Sequence, residues 1–132
     1  MNTKTIRVTA AVIFDKQGQV FIAQRSSDDA MGGKWEFPGG KIEPGETPEA
    51  CLQRELYEEL GVLAEVHELF MVSRYAYPSF NIELFAYRVS ILSGQMTLYV
   101  HQNCQWVALA ELIHIDLSAA DRPIVEKLVD SV

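Results

Sequence analysis

From Ile6 to Phe14 the apolar residues Ile6, Val8, Ala10, Val12 and Phe14 share one parity. A period of two is strand periodicity, with one face turned to a core. Asp15-Lys16-Gln17-Gly18-Gln19 is turn chemistry, and Val20 to Arg25 predicts the returning strand of a hairpin. The polar, glycine-containing stretch from Ser26 to Lys34 predicts a loop. Trp35-Glu36-Phe37 predicts a short strand, stopped by Pro38-Gly39-Gly40, because proline has no N–H to give to a ladder. The period then changes. Thr47 followed by Pro48 reads as an N-cap with proline at the first helical position, and Gly61 as a C-terminal stop. Between them Leu52, Leu56 and Leu60 recur at i, i+4 and i+8, the buried stripe of a helix. Ala64 to Tyr75 and Asn81 to Ser90 predict a second hairpin around Tyr77-Pro78-Ser79. Gln105-Trp106-Val107 predicts a short strand, and Ala119 to Val129 a closing helix with Ile124 and Leu128 on one face. Strands, helix, strands, helix in this order predict an α/β (α+β) fold, with a mixed sheet between helices.

At 132 residues the chain has room for one domain, spanning 1–132, with one core. Apolar residues make up 48% and charged residues 22%, an ordinary globular balance. The net charge of -7 changes the picture more. An acidic surface repels nucleic-acid backbones and anionic membranes, so neither is expected as a partner. The N-terminal MNTKTIRVTA has no apolar signal segment, and no run nears the roughly 20 residues that span a bilayer. A cytoplasmic location is expected. Cys51 and Cys104 form no CxxC pattern and are expected as free, buried thiols.

The acidic residues are not spread evenly. Gly40 to Val62 holds six glutamates in 23 residues. On a helix turning about 100° per residue, Glu55, Glu58 and Glu59 share a face beside the leucine stripe. Like charges at i, i+3 and i, i+4 cost a few tenths of a kcal/mol each. A solvated helix face could carry such a cluster with no further meaning, and Arg54 pairs with Glu58 at i, i+4. The spacing around the cluster says more. It runs Gly40, five residues, Glu46, seven residues, Arg54-Glu55-Leu56, one residue, Glu58-Glu59, one residue, Gly61-Val62. This resembles the Nudix box, G-x5-E-x7-R-E-U-x-E-E-x-G-U with U aliphatic, at every fixed position. Seven identities at typical usage coincide at a given start about once in 10⁸ trials. The resemblance extends along nearly the whole chain. In length, in the WEFPGGKIEPGET approach and in the closing helix, it is similar to the MutT-type nucleoside triphosphate pyrophosphohydrolases.

That resemblance implies a Nudix-type α/β/α sandwich and conversion of a (d)NTP to (d)NMP and pyrophosphate with Mg²⁺ or Mn²⁺. The substrate implied is a small-molecule nucleotide, either a cytidine nucleotide or an oxidised purine nucleotide such as 8-oxo-dGTP. The implied metal site is the Gly39 carbonyl with Glu55, Glu58 and Glu59, hard oxygen donors of the kind these cations take. Glu55 is the implied general base, and Arg54 and Glu46 position the helix and its carboxylates. Arg54, Glu55, Glu58 and Glu59 make the implied catalytic set. The implied nucleotide-facing residues are Arg25, Glu36, Phe37, Pro38, Gly39, Lys41, Tyr77 and Asp121.

Several of these have a second reading. Arg25 is also a strand-end surface residue, Tyr77 a hairpin aromatic, and Asp121 an N-cap with Pro123 in the first turn. Trp35 reads as core or rim. His67, His101 and His114 have no metal-like spacing and read as structural or surface residues. Val100 stands where the family usually carries a further glutamate, which implies fewer metals or a compensating group. Asp121 stands where family members acting on 8-oxo-dGTP use asparagine and those acting on CTP use aspartate. An ionised aspartate only accepts hydrogen bonds, which suits the cytosine N4 amino group. Two other functions fit the pattern. One is hydrolysis of ADP-ribose or a dinucleoside polyphosphate, to which Tyr77-Pro78 points. The other is a non-catalytic nucleotide-sensing domain. A monomer or homodimer is expected.

Overall fold

The computed structural model describes residues 4–26 and 32–130. The elements are β1 (Thr5–Ile13), β2 (Val20–Gln24), β3 (Trp35–Glu36), α1 (Pro48–Leu60), β4 (Leu63–Ala76), β5 (Asn81–Ser93), β6 (Asn103–Val107) and α2 (Arg122–Asp130). Two 3₁₀ segments, Leu109–His114 and Ala119–Asp121, precede α2. No helix among the described residues is long and apolar enough to cross a membrane.

β1, β5 and β4 form a mixed sheet in that order. β1 runs parallel to β5, from Thr5 opposite Asn81 to Ile13 opposite Val89, and β4 is antiparallel to β5. A second, antiparallel sheet has the order β3-β2-β6. The first predicted hairpin is thereby corrected. Its turn forms, with the Asp15 carboxylate accepting from the Gln17 and Gln19 N–H groups. The two strands then part after the single bridge between Phe14 and Val20, and β2 pairs with β3 and β6. The other edge of β1 is taken by the Pro38–Gly40 loop. Ala11 N–H donates to the Pro38 carbonyl at 2.7 Å, and Thr9 N–H to the Gly40 carbonyl at 2.8 Å. With both edges occupied, β1 has no ladder left for β2.

The alternation read from Ile6 to Phe14 also ends early, because Thr9 through Ile13 are all buried. β1 is covered on both faces. Ala10 and Val12 pack with Ile22, Ala86 and the α2 residues Ile124 and Leu128. Ala11 and Ile13 pack with Phe21, Val89 and the α1 stripe Leu52, Leu56 and Leu60. Opposite parities of one strand thus feed two cores, one under each helix, which is the α/β/α sandwich. Each fully buried leucine contributes about 2 kcal/mol of transfer free energy.

The ends of α1 follow the local chemistry. Thr47 is extended, and its hydroxyl accepts from Ala50 N–H at 3.1 Å. Gly61 has φ 70°, a left-handed conformation suited to glycine. The closing helix differs from its prediction. Ala119–Asp121 is a 3₁₀ turn and α2 begins at Arg122. Asp121 does not cap α2, because its Oδ2 accepts from Phe37 N–H across the fold at 2.9 Å.

Candidate active site

A cavity of about 420 Å³ opens between β1, the Phe37–Lys41 loop, α1, the β4–β5 tip and the 3₁₀ turn before α2. Its floor is the glycine loop. Pairing of the Pro38 and Gly40 carbonyls to β1 leaves the Gly39 carbonyl between them outside that pairing. Thr9 Oγ1 supports the Gly40 carbonyl at 3.2 Å, and the Cys51 thiol donates to the Lys41 carbonyl at 3.4 Å. A methyl group on Gly39 would collide with the Thr9 carbonyl, and one on Gly40 with the Glu55 carboxylate. Close approach, not a special backbone angle, requires these two glycines.

Helix α1 supplies one wall. Glu55 and Glu59 line the cavity, whereas Glu58 and Arg54 do not. Arg54 grips Glu46 in a bidentate pair at 2.7 and 3.0 Å. Its other contacts reach Glu55 at 2.9 Å, Glu58 at 3.1 Å and the Lys41 carbonyl at 3.3 Å. One guanidinium therefore ties the glycine loop to the acidic face. Its hydrogen bonds hold the Glu46 carboxyl down to about 2, helped by Glu43 N–H. Glu46 in turn pushes the Arg54 pKa further up.

Glu59 is different. Its Oε1 is buried without a hydrogen-bond partner. Burial, then repulsion from Glu55 and Glu36, pushes its pKa up to about 9. A buried carboxylate oxygen with no donor, beside two further carboxylates, is a hard-oxygen environment that a cation would neutralise. These residues fit a divalent metal. Glu55, Glu59 and the Gly39 carbonyl would hold it. Among the described residues no three acidic, histidine or cysteine side chains form a ligand set alone, so substrate oxygens and water would complete the shell.

The lining also includes Arg25, whose Nη1 meets Glu36 Oε1 at 2.7 Å. Glu36 Oε2 meets His101 Nε2 at 2.9 Å. Lys41 and Phe37 also line the cavity, whereas Pro38 is buried behind it. At the tip between β4 and β5, the Tyr77 ring stacks on Phe80 at 5.1 Å and meets the edge of Tyr75 at 4.6 Å. Burial raises the Tyr77 hydroxyl pKa. Asp121 closes this end at 4% exposure. Burial first, and then the charge of Glu36, pushes its carboxyl up to about 8, against the pull of Phe37 N–H and Arg25.

Other expectations land elsewhere. Val100 is 59% exposed and off the cavity wall. Trp35 is half-buried and packs on the α2 side of the core. Both cysteines are free, but only Cys51 is buried and Cys104 is half-buried. His67 meets Ser90 at the surface, and His114 is exposed. His101 is buried against Glu36, a pairing that spacing could not reveal across 65 residues. The loop predicted for Ser26–Lys34 lies partly outside the described residues.

Known proteins match this chain in sequence and fold. The family model described as NUDIX domain matches residues 4–128. The chain is 35% identical over 125 residues to the 8-oxo-dGTP diphosphatase of Escherichia coli (strain K12), covering 95% of this chain and 97% of that one. It is 37% identical over 123 residues to the CTP pyrophosphohydrolase of the same strain, covering 93% and 90%. The solution structure of the E. coli ORF135 protein superposes with a TM-score of 0.84 at 34% identity, over 97% of this chain and 91% of that one. Nudix hydrolases generally use divalent metal ions, which agrees with the acidic wall. On the family match and the identity over nearly the full length, the chain belongs to the NUDIX domain family and is a MutT-type hydrolase.

Proposed function

We propose that this chain converts a (d)NTP to (d)NMP and pyrophosphate, with Mg²⁺ or Mn²⁺ as cofactor. The observation that carries the reading is one cavity with Glu55 and Glu59 on one wall and Arg25 and Lys41 on its other sides. Carboxylates serve metal and water, and the cations serve phosphate. When bound, the metal neutralises phosphate charge and lowers the pKa of bound water.

The rest is the work of the chain itself. Arg54 holds Glu55 in place from outside the cavity, and Glu58 is a further candidate ligand from the same helix face. Glu55 accepts the proton of the attacking water. The water oxygen bonds to one phosphorus of the α–β anhydride, the bond from that phosphorus to the bridging oxygen breaks, and the electron pair leaves with the departing phosphate group. Arg25 and Lys41 bind the phosphates. Phe37 and Tyr77 make the apolar end where the base stacks.

Asp121 sits at that end. A carboxyl group held protonated at neutral pH both donates and accepts, as asparagine does. The 8-oxoguanine edge offers the O6 acceptor beside the N7–H donor, which a protonated Asp121 serves together. The cytosine N4 amino group asks only for an acceptor. On this reading an oxidised purine nucleotide is the better substrate. The names of the two E. coli relatives support that choice of candidates, one an 8-oxo-dGTP diphosphatase and the other a CTP pyrophosphohydrolase.

The test is pyrophosphate release from 8-oxo-dGTP, dGTP, CTP and dCTP, with ADP-ribose hydrolysis followed beside it. Wild type is compared with Glu55→Gln, which removes a base and a negative charge. The substitution is expected to lower kcat by about two to four orders of magnitude with the fold intact. Activity within about tenfold of wild type would remove Glu55 as the base.

A further inference from the structure

The segment after β5 runs back across the edge of the active site. Thr97 N–H bonds the Leu60 carbonyl at 2.9 Å, and Tyr99 N–H bonds the Glu59 carbonyl at 3.1 Å. Three residues on, Gln102 N–H bonds the Gln24 carbonyl at 3.0 Å. The segment therefore joins the acidic end of α1 to the end of β2, beside Arg25. Near its end, the His101 side chain turns inward at 3% exposure and meets Glu36.

Glu36 needs that contact. It stands across the β2–β3 ladder from Ala23, in a ring of acids. Its charge bears on both Glu59 and Asp121. One oxygen is taken by Arg25 and the other by His101. A carboxylate only accepts hydrogen bonds, so His101 Nε2 carries the hydrogen. Without this donor, the second oxygen would face neighbouring acids unpaired, and the carboxylate would turn. The contact between Glu36 Oε1 and Arg25 Nη1 would shift with it.

We propose that His101 is a positioning residue for substrate: through Glu36 it fixes the Arg25 guanidinium toward the phosphates. His101 does not touch the nucleotide itself. The inference rests on the reading of Arg25 as a phosphate-binding residue. It gives the 97–102 segment, which brings no carboxylate to the cavity at Val100, an imidazole donor as its contribution to the site. A space-filling role would require only the ring volume, whereas this role requires a donor at the Nε2 position.

The experiment compares His101→Leu, which fills the space without a donor, with His101→Gln, whose amide nitrogen can replace Nε2. Arg25→Ala and the double variant Arg25→Ala/His101→Leu complete a cycle. Steady-state kcat and KM are measured with 8-oxo-dGTP and CTP in excess Mg²⁺, beside thermal unfolding. Loss of a hydrogen bond to a charged group is expected to raise KM about tenfold or more in His101→Leu, with kcat within about threefold. His101→Gln should return KM to within about threefold of wild type, and the double variant should be no worse than Arg25→Ala within about twofold. If His101→Leu fails to fold, His101→Ala serves as the donorless variant. Equal damage from Leu and Gln would make His101 a packing residue and overturn the proposal. Multiplying effects in the double variant would also overturn it. If Arg25→Ala raises KM but the donorless His101 variant does not, only the positioning role falls. If Arg25→Ala leaves KM unchanged, the phosphate-binding reading of Arg25 falls, and this proposal with it.

Discussion

Asp121→Asn should make stability less dependent on pH, and the sign of the change follows from burial. The carboxyl of Asp121 titrates near 8 in the fold against 3.8 when free, because burial and the Glu36 charge disfavour its anion. Between those values the folded chain binds the proton and the unfolded chain releases it. Stability therefore falls as pH rises through this window, by at most about 1.4 kcal/mol per pH unit from this one group. From about pH 5 to pH 8 the ceiling is about 4 kcal/mol, a large share of the roughly 5–15 kcal/mol that holds a domain folded. Asparagine keeps an oxygen for Phe37 N–H and has no proton to lose. Glu59 changes stability in the same direction, but it is present in both proteins and drops out of the difference. Urea unfolding of wild type and Asp121→Asn at unit steps of pH gives the comparison directly. The variant should gain on wild type with each step up to about pH 8, and then level off. A difference that stays flat within about 0.5 kcal/mol would show that Asp121 is ionised in the fold. It would also remove the argument that Asp121 reads a base as asparagine does.

Other outcomes follow from the same geometry. In Gly40→Ala the new methyl displaces the Glu55 carboxylate, a flexible group, so kcat should fall at least about tenfold with the fold kept. Wild-type turnover in that variant would show that Glu55 does not act from its present position. Val100→Glu should leave Mn²⁺ stoichiometry and affinity unchanged in calorimetric titration, because Val100 is exposed and off the cavity wall. A gain in affinity would place that segment at the metal.

Helix α1 was legible because its signals are local. Thr47, Pro48, the leucine stripe and Gly61 lie within 15 residues and specify start, buried face and stop. The box gave the acidic wall for the same reason. The partner of β1 was not legible. Its ladder runs to β5, with Thr5 opposite Asn81, and alternation fixes a face without naming a neighbour. A strand covered on both sides also loses its parity signal, as Thr9 to Ile13 do. Asp121 shows the same limit at the site. An aspartate two residues before a proline suits an N-cap, and only Phe37, 84 residues away, makes it a buried acceptor. His101 depended on Glu36 in the same way.

The proposed reaction cleaves a nucleoside triphosphate to monophosphate and pyrophosphate with a divalent metal. Phosphorus NMR of a dNTP digest with Mg²⁺, run beside an EDTA control, tests it most directly. Nucleoside monophosphate and pyrophosphate are expected in equal amounts, with no build-up of diphosphate and no turnover in EDTA. Nucleoside diphosphate with inorganic phosphate, or unchanged turnover in EDTA, would contradict it.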